Sequence, residues 1–330
     1  MRPSLPRAWE RLARALALGL ALLAMSGPAC AQTYPNKPIR LVVGYPPGGS
    51  GDFLTRLMAD EMAQDLGVAV VADNRPGAGG TIAGDVVAKS APDGYTVLNA
   101  GHPAINKALY KKLAFDGEKD LVPVSLVATG PTIICVNNDL PVHDLTELIA
   151  YARAHPGALF NAGAGYGSAP HLAAVAFETI AGVQFTSVQF KGGGPAAQSL
   201  IAGDTQVMFA TPPTVMGFIR GGRMRALAVT QQMASPAVPG VPGAREAGLP
   251  GYASNFWFGL WVPTGTPQAI VDRLFKAASH ALAKPEVRQK IAMQGMDATP
   301  SASPAAFAEQ VKAESPVWER VVRDSGAKVE

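Results

Sequence analysis

Two glycine-rich stretches hold the residues best suited to grip a small anion. In the first, Tyr45-Pro-Pro-Gly48-Gly49-Ser50-Gly51-Asp52 follows an apolar run with Ile39, Leu41, Val42 and Val43. It precedes Phe53, Leu54, Leu57, Met58 and Met62, which recur at helical spacing. A strand, a tight loop and a helix N-terminus are expected. The first turn of a helix leaves backbone N–H groups without partners at the positive end of its dipole, so an anion fits there with no lysine. Asp52 has two readings: it accepts backbone N–H bonds and fixes the loop, or it meets a ligand ammonium or water. Arg56, one turn on, reads as solvated or ion-paired.

The second stretch, Ala162-Gly-Ala164-Gly165-Tyr166-Gly167-Ser168, repeats this chemistry. Pro170 stands at the first helical position, Leu172, Val175 and Ala176 share one face, and Gly182 lies past the end. A second amide-lined helix N-terminus is expected, facing the first across a cleft. His171, in its first turn, either bonds a ligand or packs under the loop. His102 follows the third expected strand, at the end where open α/β sheets bind ligands, and is either a pocket residue or merely exposed. Met208 and Phe209 read as core or as ligand stackers, and Ala210 and Thr211 end their strand at the pocket rim.

Enzymatic alternatives find little support. Both glycine loops fail GxGxxG at its last position, and the chain has no Walker loop, HExxH, paired Cys/His ligands or GxSxG elbow. Asp52 is the one carboxylate near the loops, and a lone carboxylate makes a poor acid/base apparatus. No cofactor or metal is expected.

The elements that must position these loops alternate in type. Arg2, Arg7, Arg11 and Arg14 precede an apolar run that ends at Ala29-Cys30-Ala31, which reads as a secretory signal peptide cut after Ala31, with lipidation of Cys30 as the alternative. Without residues 1–31, which contain four arginines and one glutamate, 24 basic and 24 acidic residues remain. That balance argues against a nucleic-acid partner. Cys135 then has no internal disulfide partner and reads as a buried hydrophobe. Strands are expected near 68–71, 95–98, 133–136, 186–190, 206–209, 226–230 and 256–262, with helices between them, and a second unit is expected to begin at Ile133 after the stretch 121–129. The segment 231–250, rich in proline and glycine, reads as a return crossing, and Pro316 is expected to kink or split the last helix at Ser315.

Several stretches also carry a family resemblance: YPNKPIRLVVGYPPGGSGD, DNRPGAGGTIAGDVVAKSAPDGYTVL, GSAPHLA, FKGGGPA, GGRMRALAVT and WFGLWVPTGTP. In this order, over essentially all of residues 34–330, they resemble the Bug (TctC-like) periplasmic solute-binding proteins of tripartite tricarboxylate transporters. The resemblance implies an α/β, two-lobed periplasmic-binding-protein fold (Venus-flytrap, type II) with two crossover segments. Residues 32–131 and 231–330 would form lobe I and residues 132–230 lobe II.

It also implies a monomeric periplasmic receptor that hands a small organic acid or amino acid to membrane permease subunits. The ligand would be held by Tyr45, Gly48, Gly49, Ser50 and Asp52, by Ala164 to Ser168, and by His102, His171, Phe209, Ala210 and Thr211. Tyr45 stands where the family commonly has phenylalanine, Ser50-Gly51 replaces a more usual glycine-threonine pair, and Gln206 sits where an aspartate is common. These departures bear on which acid is bound. A secreted enzyme acting on an organic acid and a sensor for a membrane kinase are the competing expectations.

Overall fold

Short β-branched runs alternate with longer helical stretches along the chain, and the computed structural model describes residues 34–103, 106–110 and 112–324. The expected cleavage after Ala31, and Cys30, lie outside the described residues. From Lys37 onward the chain forms one compact unit.

The elements, in order, are β1 (Ile39–Val43), α1 (Ser50–Leu66), β2 (Val70–Asn74), α2 (Thr81–Ala88), β3 (Thr96–Ala100), α3 (Asn106–Leu109) and β4 (Leu121–Pro131). Then come β5 (Ile133–Val136), α4 (Leu145–Ala154), β6 (Phe160–Gly163), α5 (Ala169–Ala181), β7 (Thr186–Gln189), α6 (Gly193–Ala202), β8 (Val207–Ala210), α7 (Pro212–Arg220) and β9 (Arg225–Val229). The last are β10 (Asn255–Pro263), α8 (Gln268–Ala283), α9 (Pro285–Met293), β11 (Asp297–Ala298) and α10 (Pro304–Asp324).

Two sheets result. The first has the order β11-β4-β10-β3-β1-β2 and the second β7-β6-β8-β5-β9. In the first, β1 runs parallel to β2 and β3, while β10 is antiparallel to both β3 and β4. In the second, β6 runs parallel to β7 and β8, while β5 is antiparallel to β8 and β9. Each antiparallel strand arrives directly from the other lobe, β5 after β4 and β10 after β9. The chain therefore crosses twice, as the two-lobed reading expects, and every parallel strand ends its carboxyl edge at the cleft side of its own lobe.

The crossings are tied together by one side chain. Thr230 Oγ1 accepts from Thr132 N at 2.9 Å and donates to the Ser254 carbonyl, while Thr230 N donates to Thr132 O at 2.9 Å. Beyond that joint, the segment 231–254 departs from the expected lobe I assignment. Ala244, Leu249 and Tyr252 are buried with Ile134, Phe177 and Phe209 in the second lobe's core, and Tyr252 Oη donates to Ala173 O at 2.8 Å. Proline and glycine in that segment suggested a linker, but its few large apolar side chains gain more by burial against the second sheet.

Pro316 also behaves differently from expectation. α10 continues through it as one helix. Pro316 has no N–H for the carbonyl four residues earlier, and one residue before that the neighbouring Val311 O accepts from Ser315 Oγ at 3.0 Å and from His102 Nε2 at 3.1 Å. Phe307 and Val311 pack with Trp257 and Trp261 in the first lobe, whereas Val322 joins Leu172 of α5 and Leu109. The helix thus spans both lobes.

Candidate functional site

The cleft between the lobes is built on helix N-termini. α1 begins after Gly49 with no side-chain cap, and Phe53 N, bonded to Gly49 O at 3.0 Å, is its first backward donor. The Ser50 and Gly51 amides precede that bond and line the cleft. Ser50 adds a hydroxyl: the residue is only 3% exposed, and its Oγ has no hydrogen-bond partner among the described residues.

Asp52 supports this loop from behind rather than lining the cavity. Its carboxylate accepts from Gly48 N at 3.1 Å, Asn74 Nδ2 at 2.9 Å and Arg56 Nε at 3.0 Å. Burial alone would raise its pKa, but the bonds from Arg56, Asn74 and Gly48 outweigh that and hold it below the ordinary carboxylate range. Asn74 Nδ2 also reaches Tyr45 O at 3.0 Å, so β2 clamps both ends of the loop. Gly48 serves the same purpose and does not line the cavity.

The second loop's amides are mostly occupied by its own lobe. Gly165 N donates to Gln189 Oε1 at 3.0 Å, Gly167 N to His171 Nδ1 at 3.3 Å, and Ser168 N to Gly165 O at 3.2 Å. Ser168 caps α5 by accepting from His171 N at 3.4 Å, and Pro170 has no N–H, so Ala169 N is the first-turn amide left without a partner among the described residues. Ala164, Ser168, Ala169 and Pro170 line the cavity, while Gly165, Tyr166 and Gly167 lie outside it, toward the lobe-to-lobe seam. His171 takes the packing role: it is 4% exposed, sits edge-on to Tyr166 at 5.3 Å, and burial pulls its pKa down to about 4.

Two further helix N-termini complete the cavity: one follows Ala210 and Thr211, which the sequence places at the rim, and the other follows Lys191-Gly192, which it does not assign to the site. α6 starts after Gly192 without a side-chain cap, and Gly193, Gly194 and Lys191 line the wall. α7 starts after Thr211 with Pro212 in its first turn; Thr211 and Thr214, whose hydroxyls are 3.2 Å apart, offer oxygens instead of amides. The signal was legible: Gly-Gly-Gly-Pro195 repeats the glycine-then-proline grammar of a helix start after a strand. Among the described residues that line the wall, Lys191 alone is charged. A cavity bordered by the first turns of α1, α5 and α6, with one ammonium and no carboxylate among its described lining residues, favours an anion.

Apolar residues close the remaining sides. Met208, Ala210 and Phe258 line the cavity, and Tyr45 packs edge-on to Phe258 with centroids 6.0 Å apart. The Tyr45 hydroxyl donates to Gly79 O at 3.3 Å, and burial pushes its phenol up to about 12. Phe209, on the opposite face of β8 from Met208, belongs to the second lobe's core beside Phe177 and Phe185. Strand alternation decides between the two neighbours. His102 is likewise absent from this cavity; its ring lies tilted against Trp257, centroids 5.4 Å apart, and it borders an adjoining cavity.

The lobes touch directly around the cavity. Tyr110 Oη donates to Tyr166 O at 3.3 Å across the seam. Gly192, at φ +110, leaves room for Pro46, whose Cγ would lie 2.5 Å from a Cβ at that position. The arrangement is a closed cleft. Among the described residues there is no group of three or more His, Cys, Asp or Glu side chains placed to hold a metal, and no helix long and apolar enough to cross a membrane.

Comparison with known proteins places this architecture. The family model described as "Tripartite tricarboxylate transporter family receptor" matches residues 54–326. Protein BugT of Bordetella pertussis is 35% identical over 325 residues, covering 97% of this chain and 98% of its own length. Among solved structures, R. palustris Rpa4515 with adipate superposes with a TM-score of 0.84 at 34% identity, covering 89% of this chain and 98% of that one. MatC from Rhodopseudomonas palustris with bound malate gives 0.82 at 35% identity, covering 88% and 100%. A periplasmic-binding-protein fold and this degree of identity along nearly the whole length lead to one assignment: the chain belongs to the tripartite tricarboxylate transporter family of receptors.

Proposed function

We propose that this protein is an exported receptor that closes its two lobes on a small carboxylate and presents it to the membrane subunits of a tripartite tricarboxylate-type transporter. The observation that carries the reading is the cavity itself, ringed by the N-termini of α1, α5, α6 and α7 with Ser50 Oγ buried and unpartnered on its wall. A carboxylate there would accept from the Ser50 hydroxyl and the Ser50 and Gly51 amides on one lobe, and from Ala169, Gly193 or Gly194 on the other. Lys191 adds a positive field at the rim. The adipate and malate in the two similar structures support a carboxylate as the ligand class.

Magnitudes favour two-lobed capture. Each amide bond to a charged acceptor contributes about 1.5–3 kcal/mol, and each helix end about 0.3–1 kcal/mol. After association costs, donors from both lobes reach roughly the 8 kcal/mol of micromolar binding, whereas one lobe alone falls short. Ligand therefore shifts the open-closed equilibrium, and the closed outline is what a permease reads. Export to the periplasm through the N-terminal leader, a monomeric state and release of unchanged ligand belong to the same reading.

The cavity measures about 130 Å³. At roughly 10–15 Å³ for each water-sized group, it takes on the order of ten non-hydrogen atoms. The test is a thermal-shift screen, followed by calorimetry, on protein unfolded and refolded to strip ligand, against dicarboxylates, tricarboxylates, amino acids and aromatic acids. A ligand at 100 times its Kd adds about 2.7 kcal/mol and raises the midpoint by a few degrees. Saturable shifts confined to acids support the proposal, and shifts by neutral compounds alone overturn it. Chemical change in a bound acid would favour the secreted-enzyme alternative.

A further inference from the structure

A second chamber adjoins the carboxylate cavity, and its chemistry is different. The two share Tyr45, Ala169 and Phe258 as a common boundary. On the far side the wall is formed by residues such as Trp257, Leu172, Trp318 and His102, and among the described residues that line it none carries a carboxylate, ammonium or guanidinium. Trp257 is buried in the first lobe's core and Leu172 lies on α5 of the second lobe, so the chamber, like the first cavity, is completed only when the lobes meet.

His102 is uncharged in this setting. Both groups within reach of its Nε2, the Val311 carbonyl at 3.1 Å and Ser315 Oγ at 3.4 Å, can accept, because the Ser315 proton is committed to Val311 O at 3.0 Å. Nε2 therefore carries the ring proton. Nδ1 is left as a bare acceptor, buried and without a partner among the described residues. The chamber thus offers aromatic faces and one neutral acceptor, and among its described lining residues no cationic side chain balances a second negative charge.

We infer that this chamber receives the uncharged tail of the ligand, so that the preferred substrate class is a monocarboxylate bearing an aryl or similarly compact apolar group rather than a dicarboxylate. The inference rests on the carboxylate-receptor reading above. The head sits among the helix N-termini, and the tail passes the Tyr45–Phe258 edge beside the small side chain of Ala169. The chamber measures about 60 Å³. By the same 10–15 Å³ per water-sized group, that is roughly four to six non-hydrogen atoms, the size of one six-membered ring. A carboxylate placed there would face desolvation with no cationic side chain among the described lining residues to offset it.

Calorimetry with 3-phenylpropanoate, adipate and propanoate on the refolded full-length mature protein tests this. The expected result is 3-phenylpropanoate binding at least tenfold tighter than either of the others. Leu172→Phe, which narrows the chamber, should erase that preference while propanoate binding stays within about twofold, and Trp318→Ala, which widens it, should shift the preference toward a naphthyl homologue. The unliganded melting midpoint of each variant reports folding separately. Adipate binding tighter than 3-phenylpropanoate, or a preference indifferent to both substitutions, overturns the inference and leaves the receptor reading standing. Failure of all three acids, and of the wider acid screen, overturns both.

Discussion

A Cβ added to Gly79 would lie 1.8 Å from the carbonyl oxygen of Tyr166, on the opposite lobe. Gly79 also sits at φ +62, in the left-handed region where a side chain is costly. Two backbones therefore meet at this point with no room for a side chain between them, and the closed cleft depends on it. Gly79→Val should leave each lobe folded but hold them apart. Ligand affinity is expected to fall at least tenfold, and small-angle scattering with saturating ligand should retain the larger radius of the open form. Closure measured in this variant would show that the seam accommodates a side chain.

Ser50→Ala separates ligand binding from stability. The wild-type hydroxyl is buried without a protein partner, so removing it spares the unliganded protein a desolvated polar group. The unliganded melting midpoint is expected to stay level or rise. Ligand Kd should weaken by about 10- to 150-fold, the equivalent of roughly 1.5–3 kcal/mol for a hydrogen bond to a charged acceptor. A large drop in the unliganded midpoint would mean that Ser50 is structural.

Asp52→Asn should damage both properties, because the carboxylate holds Gly48, Asn74 and Arg56 at once. An amide of the same shape retains one acceptor oxygen and turns donors toward donors. About 1–3 kcal/mol of stability is expected to disappear in urea titrations at pH 7. The sign with pH follows from the depressed folded-state pKa. The wild-type advantage is fully present above the unfolded carboxyl's ordinary value of about 3.9 and is lost as pH falls through the lower folded value. An advantage unchanged at pH 2 would contradict this.

His171 titrates in the other window. Its folded pKa is pulled down by burial to about 4, below the unfolded value of 6.5, so the unfolded chain binds the extra proton first. Stability supplied by neutral His171 is complete above about pH 6.5 and declines as pH falls toward 4. Urea midpoints at pH 7, 5.5 and 4.5 should show that slope in wild type and a flatter one in His171→Gln. Equal slopes would place the acid sensitivity elsewhere.

At the hinge, Thr230→Val keeps the shape but removes the oxygen that accepts from buried Thr132 N and donates to Ser254 O. Leaving that amide unpartnered should cost about 1–3 kcal/mol in chemical denaturation. An unchanged denaturation midpoint would show that the crossings are held by their backbone ladder alone.

Much of this protein was determined locally. Ile39 to Val43, the glycines that follow, and the helical spacing of Leu54, Leu57 and Met58 dictate a strand, loop and helix N-terminus whatever surrounds them, because orphan amides are a property of the first turn itself. Pro170 and Ser168 likewise mark the start of α5. Which of those amides remain free was decided only in three dimensions. Gln189 arrives from the neighbouring strand to occupy Gly165 N, and His171 occupies Gly167 N, so a loop with the same grammar as the first contributes far less to the cavity. His102 was drawn away in the same manner, by the Val311 carbonyl of a helix more than 200 residues later, as the pair's separation of 209 shows. Phe209 and Met208 differ by one position, and only the pairing of β8 with β5 determines which one faces the cavity. Residue types and spacing specify the groups available to a site; long-range packing decides which of them it has already used.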